Sequence, residues 1–338
     1  MPKSRVQLKD VAEKANVSAG AVSLILRDAG RFSDETRARV KSVAAACGYE
    51  PDPLFSSLAA RRSRQIEERY RLPVAELRTT PRSDRNRIVQ ELARRFGFEL
   101  EDWQLQDWPN SRRLGDVLHA RGVRGIIIDQ LYGYHELPDI GWERFAVVCN
   151  GRPYFPVRFP IVRERILEAI SETWQECRRR GYRRIGFDLL QLKSWREDHP
   201  DDRARLAAVE YCLRHTPKKE RVRPHFGMPM EMEGYPEWLE KEAPDVIITQ
   251  LAYRVQQLRA SGIRVPEDVA VVSMIINRPD SDVTGWFTGG EERSLEVFKQ
   301  LEQSIRHNCF GPLKTPTEIL VQLPWWENKT FPAQHENR

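Results

Sequence analysis

The chain has 338 residues, more than one hydrophobic core usually grows to, so two or three domains are expected. Its 54 Lys and Arg against 49 Asp and Glu give a net charge of +5, and 40% hydrophobic residues with a mean hydropathy of −0.59 describe an ordinary soluble composition rather than a membrane protein. No run approaches the roughly 18 apolar residues that span a bilayer, and the first residues lead into no apolar secretion segment, which points to the cytoplasm. The five cysteines, Cys47, Cys149, Cys177, Cys212 and Cys309, are odd in number and never form a C-x-x-C pair. They read as reduced thiols, not as a disulfide framework or a zinc ribbon.

The charge is unevenly spread. Residues 1–64 hold 12 basic and 7 acidic residues, whereas the remainder carries 42 of each, and all nine tryptophans lie from Trp103 onward. A small basic module therefore precedes a neutral, aromatic-containing body, a division that suits nucleic-acid contact by the first part. Within that module Leu8, Val11, Ala12 and Ala15 share one helical face, and Asn16-Val17 breaks the pattern. Ser18 then supplies an N-cap for a second helix over Ala19 to about Leu26, with Val22, Ile25 and Leu26 inward and Ala19, Gly20, Ser23, Leu24 and Arg27 on the outer face. Ser33 caps a third helix that carries Asp34 and Glu35 in its first turn, where they favour the helix dipole, and runs to a stop at Gly48.

Three spaced stretches, VQLKDVAEKANVSAGAVSL from Val6, RFSDETRARV from Arg31 and GYEPDPL from Gly48, together resemble the DNA-binding head of the LacI/GalR (lactose-repressor) transcription regulators. The resemblance implies that the second helix enters the major groove of double-stranded operator DNA. It also implies a hinge helix over Pro53–Ala60 that orders on DNA and wedges Leu58 into the minor groove, where an apolar side chain partly unstacks a base step. The chain departs from the family where an arginine is common and Leu24 stands, and where bulky polar residues are common and Ala19 and Gly20 stand. Ala19 and Leu24 are placed for thymine methyl groups or for close approach of the helix. Ser18, Ser23, Arg27, Arg31 and Ser33 are placed for phosphates or base edges.

In the body, apolar runs at Val74–Leu77, Phe98–Leu105, Gly125–Ile128, Phe145–Val148, Ile185–Leu190, Val246–Thr249, Val269–Ile276 and Glu318–Leu323 alternate with amphipathic stretches. The helical stretches are Ile88–Phe96, Leu114–Ala120, Ile166–Arg180, Leu206–Leu213, Val255–Ala260 and Leu295–Arg306. Strand and helix in alternation predict parallel sheets with crossover helices, and the number of strands favours two α/β subdomains. The runs RRRGYRRIGF from Arg178, APDVIIT from Ala243 and SGIRVPEDVAVVS from Ser261 resemble the same family's effector domain, more loosely than the head does. The fold expected is an all-α helix-turn-helix head plus an α/β periplasmic-binding-protein-like core of two parallel-sheet subdomains. The boundaries expected are 1–50 for the head, 51–71 for hinge and linker, 72–155 with 283–310 for one subdomain and 156–282 with 311–330 for the other. Chain crossings are then expected near Arg152–Arg158, Asn277–Val283 and Gly311–Pro316.

The resemblance assigns effector contacts to Arg205, whose fork suits a diol or carboxylate, and to Asp129 past a strand end. Gln250-Leu251 replaces the family's Asn-Asp pair, with Gln250 the residue left to meet an effector, and Ile275 stands where an acidic residue is usual. The effector domain is thus divergent, and these replacements are a poor match for an ordinary free sugar. Metal-ligand spacings, phosphate-binding glycine loops and nucleophile elbows are absent from the sequence, so no cofactor and no enzymatic activity are expected. The expected function is a homodimeric, sequence-specific transcriptional regulator, a repressor by resemblance. It would bind a pseudo-palindromic operator and answer to a small effector in carbohydrate metabolism, with a sugar or sugar derivative as first candidate. The competing reading is a cytoplasmic small-molecule-binding or catalytic α/β protein with an incidental basic head.

Overall fold

The computed structural model describes residues 8–18, 21–22, 25–26, 32–47, 71–79, 86–129, 131, 133–134, 136–190, 200–227, 232, 234–278, 281–288 and 291–334. The chain divides into two compact units, residues 1–72 and 73–338. In the first, helix α1 (Leu8–Lys14) is ended by Asn16, whose φ of 50° turns the chain sharply. Helix α2 (Asp34–Ala46) is capped by Ser33, which accepts from the Thr36 amide. Val11, Ala12, Ala15, Val22, Ile25, Val40 and Ala44 form a small buried core. The helical face expected from Val11, Ala12 and Ala15 is the face that is buried.

The second unit contains two six-stranded sheets. The first sheet has the order β11-β5-β4-β3-β1-β2, from β1 (Leu72–Arg78), β2 (Phe98–Gln104), β3 (Gly125–Ile128), β4 (Ala146–Asn150), β5 (Ile161–Glu164) and β11 (Glu318–Val321). The second has the order β12-β10-β9-β8-β6-β7. Its strands are β6 (Ile185–Leu190), β7 (His225–Gly227), β8 (Val246–Thr249), β9 (Ala270–Ile276), β10 (Thr284–Phe287) and β12 (Trp325–Trp326). Pairings from β1 through β3, β4 and β5 to β11, and from β7 through β6, β8 and β9 to β10, are parallel, and β10–β12 is antiparallel. Such sheets are covered on both faces, which is why β3, β4 and β8 read as continuous apolar runs and are buried throughout or nearly so.

The helices are α3 (Asn86–Arg95), α4 (Ser111–Ala120), α5 (Ile166–Arg179), α6 (Pro200–Arg214), α7 (Tyr235–Glu242), α8 (Arg254–Ala260) and α9 (Glu292–Arg306). Ile166, Ile170 and Cys177 of α5 are buried with Ile185, Phe187, Ile248 and Val272 of the second sheet. Helix α9 packs on β3, β4 and β5 of the first sheet. Gly125 permits that approach: a Cβ there would lie 3.1 Å from Leu301 and Ile305.

This topology moves the crossings. Strands β5 and β11 belong to the first sheet and β10 to the second. The chain therefore passes between sheets at Arg165, over 288–291 and over 322–324, not near 152–158, 277–283 and 311–316 as expected. The predicted subdomain boundaries at 155/156, 282/283 and 310/311 are displaced accordingly. Short strands caused the error: β5 and β11 have four residues each, and β10 reads Thr-Gly-Trp-Phe. A glycine inside a strand weakens the sequence pattern and marks a close backbone approach. At Gly285 a Cβ would stand 1.9 Å from the Ser273 carbonyl oxygen, and the register shifts between Gly285 and Phe287.

The second subdomain buries an ion pair. Arg254 Nε donates to Asp188 Oδ2 at 2.9 Å, with both side chains 2% exposed. Asp188 also accepts from the Thr249 hydroxyl at 2.8 Å and meets His225 Nδ1 at 3.0 Å. The Arg254 guanidinium lies 4.5 Å from the Tyr235 ring centroid and reaches Gln257 at 2.8 Å. Removing one member of such a pair leaves a buried charge, so Arg254→Met is expected to lower stability by about 3–5 kcal/mol. Asp188→Asn combined with Arg254→Met should recover part of that loss. Urea unfolding of the four members of the cycle measures both effects.

Candidate functional site

Two places in the molecule combine exposed or convergent polar groups with a fixed scaffold. The first is the turn between α1 and the next helical segment. The Ala21 amide donates to Ser18 Oγ at 3.1 Å and the Val22 amide to the Ser18 carbonyl at 3.1 Å, so Ser18 caps the segment as its residue type predicted. Ser33 Oγ accepts from the Thr36 amide at 3.2 Å and lies 2.8 Å from its hydroxyl. Both serines are exposed while holding helix starts. Ala19, Gly20, Ser23, Leu24, Arg27, Arg31 and Leu58 lie outside the described residues.

The second place is a cavity of about 390 Å³ in the larger unit, within the range of small-molecule sites. Its walls come from all three crossings: Arg165 from the first, Thr288 beside the second, and Gln322 and Leu323 from the third. Parallel strands of an open α/β sheet present their carboxyl ends to ligands, and Gln250, Leu251, Met274 and Ile275 stand at the ends of β8 and β9. The register shift after Gly285 delivers Trp286 to the same cavity, 7% exposed, with its indole N–H donating to Thr173 Oγ1 at 2.9 Å.

Charges ring this apolar floor in pairs. Arg165 donates to Glu172 at 3.1 Å and to Gln322 at 2.9 Å, and Arg293 pairs with Glu164. Arg205, on the first turns of α6, donates through Nη1 to Asp202 Oδ1 at 2.5 Å. Asp201 is 5% exposed, and burial pushes its carboxyl above the ordinary range. The nearby Arg205 opposes that shift, and Glu164 adds to it. The buried pair of the second subdomain lies directly behind this wall: Asp188 holds Thr249 through its carboxylate and the Gln250 amide through its carbonyl, the latter at 3.1 Å.

Of the three residues expected to meet an effector, the structure brings Arg205 and Gln250 to the cavity. Asp129 it does not. That residue follows β3, lies 3.4 Å from Arg78 Nη2, and is not among the residues lining the cavity. Trp286, Arg293 and Asp201 were missed. Trp286 sits on an unrecognised strand, and Arg293 reaches the cavity through the displaced crossing. Only Asp201 left a sequence signal, as half of an acidic pair opening a helix.

The raised carboxyl carries a testable consequence. Because the folded-state value is raised, the folded protein holds this proton more tightly than the unfolded chain, and the ionised form costs stability at neutral pH. Asp201→Asn is expected to raise the unfolding midpoint at pH 7. The gain should vanish as pH falls below the ordinary aspartate value of about 3.9. Thermal unfolding of both proteins across pH 3–8 measures the difference, and a difference independent of pH would show that this carboxyl is not held above its unfolded value.

Residues 7–52 match the family described as bacterial regulatory proteins, lacI family, and residues 174–284 match the periplasmic binding protein-like domain. The HTH-type transcriptional regulator DegA of Bacillus subtilis (strain 168) is 22% identical over 281 residues, covering 79% of this chain and 81% of that protein. Among solved structures, the lac repressor dimer bound to operator and the anti-inducer ONPF superposes with a TM-score of 0.57 at 17% identity. The match covers 98% of this chain and all of that one. The transcriptional regulator CelR in complex with cellobiose superposes with a TM-score of 0.55 at 20% identity, covering 96% of this chain and all of the other. These structural likenesses establish the fold of two parallel-sheet subdomains.

Proposed function

We propose that the chain, whose residues 7–52 match the lacI family of bacterial regulatory proteins, is a regulator of that family and acts as a homodimer on a pseudo-palindromic operator under the control of a small molecule bound in the cavity. DNA-binding regulation is the family's function. The finer reading assigns base and phosphate contacts to Ser18, Ala19, Gly20, Ser23, Leu24, Arg27, Arg31 and Ser33, and the minor-groove wedge to Leu58. A two-fold dimer presents one recognition helix to each half-site. The observation that carries this reading is the match over residues 7–52 together with the serine caps of the turn after α1 and of α2.

Effector control rests on the cavity at the three crossings. A ligand there touches both sheets, so it binds one arrangement of them better than another and shifts the population of the DNA-competent state. Arg205 and Gln250 are its proposed contacts. Cellobiose, the ligand of the CelR structure, makes a sugar or sugar derivative the first class to test. Two observations also favour a cytoplasmic repressor over an enzyme. The resemblance is to regulators, and the titratable groups of the cavity are paired as ion pairs instead of being arranged as nucleophile and base.

Selection from a random double-stranded DNA pool by the full chain, with the complex sized in solution, tests the proposal. The expected result is an inverted-repeat motif held by two copies. Absence of any enriched motif, or binding by a single copy to an asymmetric site, would reject it. On the selected operator, Leu58→Ala should weaken binding and reduce DNA bending while leaving the dimer intact. Arg27→Ala or Arg31→Ala should each flatten the slope of log K against log salt by about one unit for every phosphate that the arginine neutralises.

A further inference from the structure

The cavity's walls define a ligand class. At the strand ends that face it, the hydrogen-bond donors are already committed within the protein. The Leu251 amide donates to Thr249 Oγ1 at 3.4 Å and the Ile275 amide to Ser273 Oγ at 3.2 Å. The Thr288 amide and hydroxyl both donate to the Ile276 carbonyl, at 2.7 and 3.1 Å, and the Trp286 indole N–H is held by Thr173. Beside the Gln250 side chain, that side presents apolar surface from Leu251, Met274, Ile275 and the Trp286 ring, faced by Val321 and Leu323. A hydroxyl placed against this apolar part would lose its bonds to water without replacing them.

The charged ring is not symmetric in its demands. Arg165 is held by Glu172 and Gln322, and Arg293 by Glu164. Arg205 gives only Nη1, to Asp202, and its guanidinium makes no other hydrogen bond among the described residues. Its neighbour Asp201, buried in the same wall, resists ionisation because of that burial. Nε and Nη2 of Arg205 are therefore left over, and the spare donors of a planar fork are best matched by two oxygens of one anion.

Resting on the reading of this cavity as the effector site, we propose that the effector is a small organic acid: a carboxylate seated on Arg205, with an aromatic or branched aliphatic body lying over Met274, Ile275 and Trp286. The ligand is an anion with an apolar body, not a neutral sugar. Recognition of the head is a charge-assisted fork, and recognition of the body is exclusion of water from the strand ends.

The test measures thermal unfolding and operator affinity of the full chain with five probes: butanoate, benzoate, 3-phenylpropanoate, the uncharged 3-phenylpropanol, and cellobiose. At least one of the three acids should raise the unfolding midpoint and change operator affinity, while the alcohol and the sugar do neither. Arg205→Gln should weaken binding of that acid by about tenfold or more. Ile275→Trp, which fills the apolar floor without touching the head, should weaken it too, and operator binding in the absence of ligand confirms that each variant is folded. A response to cellobiose with none to the acids overturns the class while leaving effector control standing. A response to an acid that is unchanged in Arg205→Gln overturns the assigned head site. No response to any probe overturns the class.

Discussion

The chain passes between its two sheets three times, at Arg165, over 288–291 and over 322–324, and all three passages lie at the wall of one cavity. This single constraint organises the larger unit. Two open parallel sheets, each with carboxyl ends that bind ligands, are joined only where their chain segments cross, so a molecule held there contacts both subdomains and the strands that link them. The lining follows directly: the ends of β8 and β9 contribute Gln250, Leu251, Met274 and Ile275, and residues beside the crossings contribute Arg165, Thr288, Arg293 and Gln322. The site is thus a product of topology before it is a product of side chains.

What keeps the wall in place is polar and buried. Asp188 joins Arg254, His225 and Thr249, and through Thr249 and Gln250 it fixes the end of β8 at the point where that strand meets the cavity. A buried ion pair contributes little net stability over an apolar replacement of the same shape, but it specifies geometry, because its members cannot be satisfied in any other arrangement. Tyr235 completes the enclosure by covering the guanidinium. The cavity therefore has a hydrogen-bonded wall and a rim of ion pairs.

The head is held together differently. Among the described residues, seven buried ones, most of them Ala and Val, hold α1, the segment after the turn and α2 together. Capping adds to this packing: Ser18 and Ser33 each satisfy an amide that the first turn of a helix leaves unpaired. The same serines are exposed, and a position that both starts a helix and faces solvent is well suited to meeting a phosphate. Local chemistry and proposed function coincide there because both ask for a short hydroxyl side chain.

Local order determined what could be read in advance. The capped helices of the head, the alternation of strand and helix in the body and the apolar-rich strands β3, β6, β8 and β9 were legible because each is written in adjacent residues, as a cap, a period or a run. Arg205 and Gln250 were legible by their place in a resemblance, and both face the cavity. Asp129 was placed by the same reasoning and pairs with Arg78 instead. The tertiary structure alone decided which sheet receives β5, β10 and β11, because a four-residue strand carries too few side chains to declare its partner and acquires one by hydrogen bonding to chain more than a hundred residues away, as β11 does with β5. That decision set the crossings, and the crossings brought Trp286, Arg293 and Asp201 to a common wall. Sequence by itself established the kinds of element and the family of the head; the cavity and its chemistry came from pairing at long range, which no local pattern encodes.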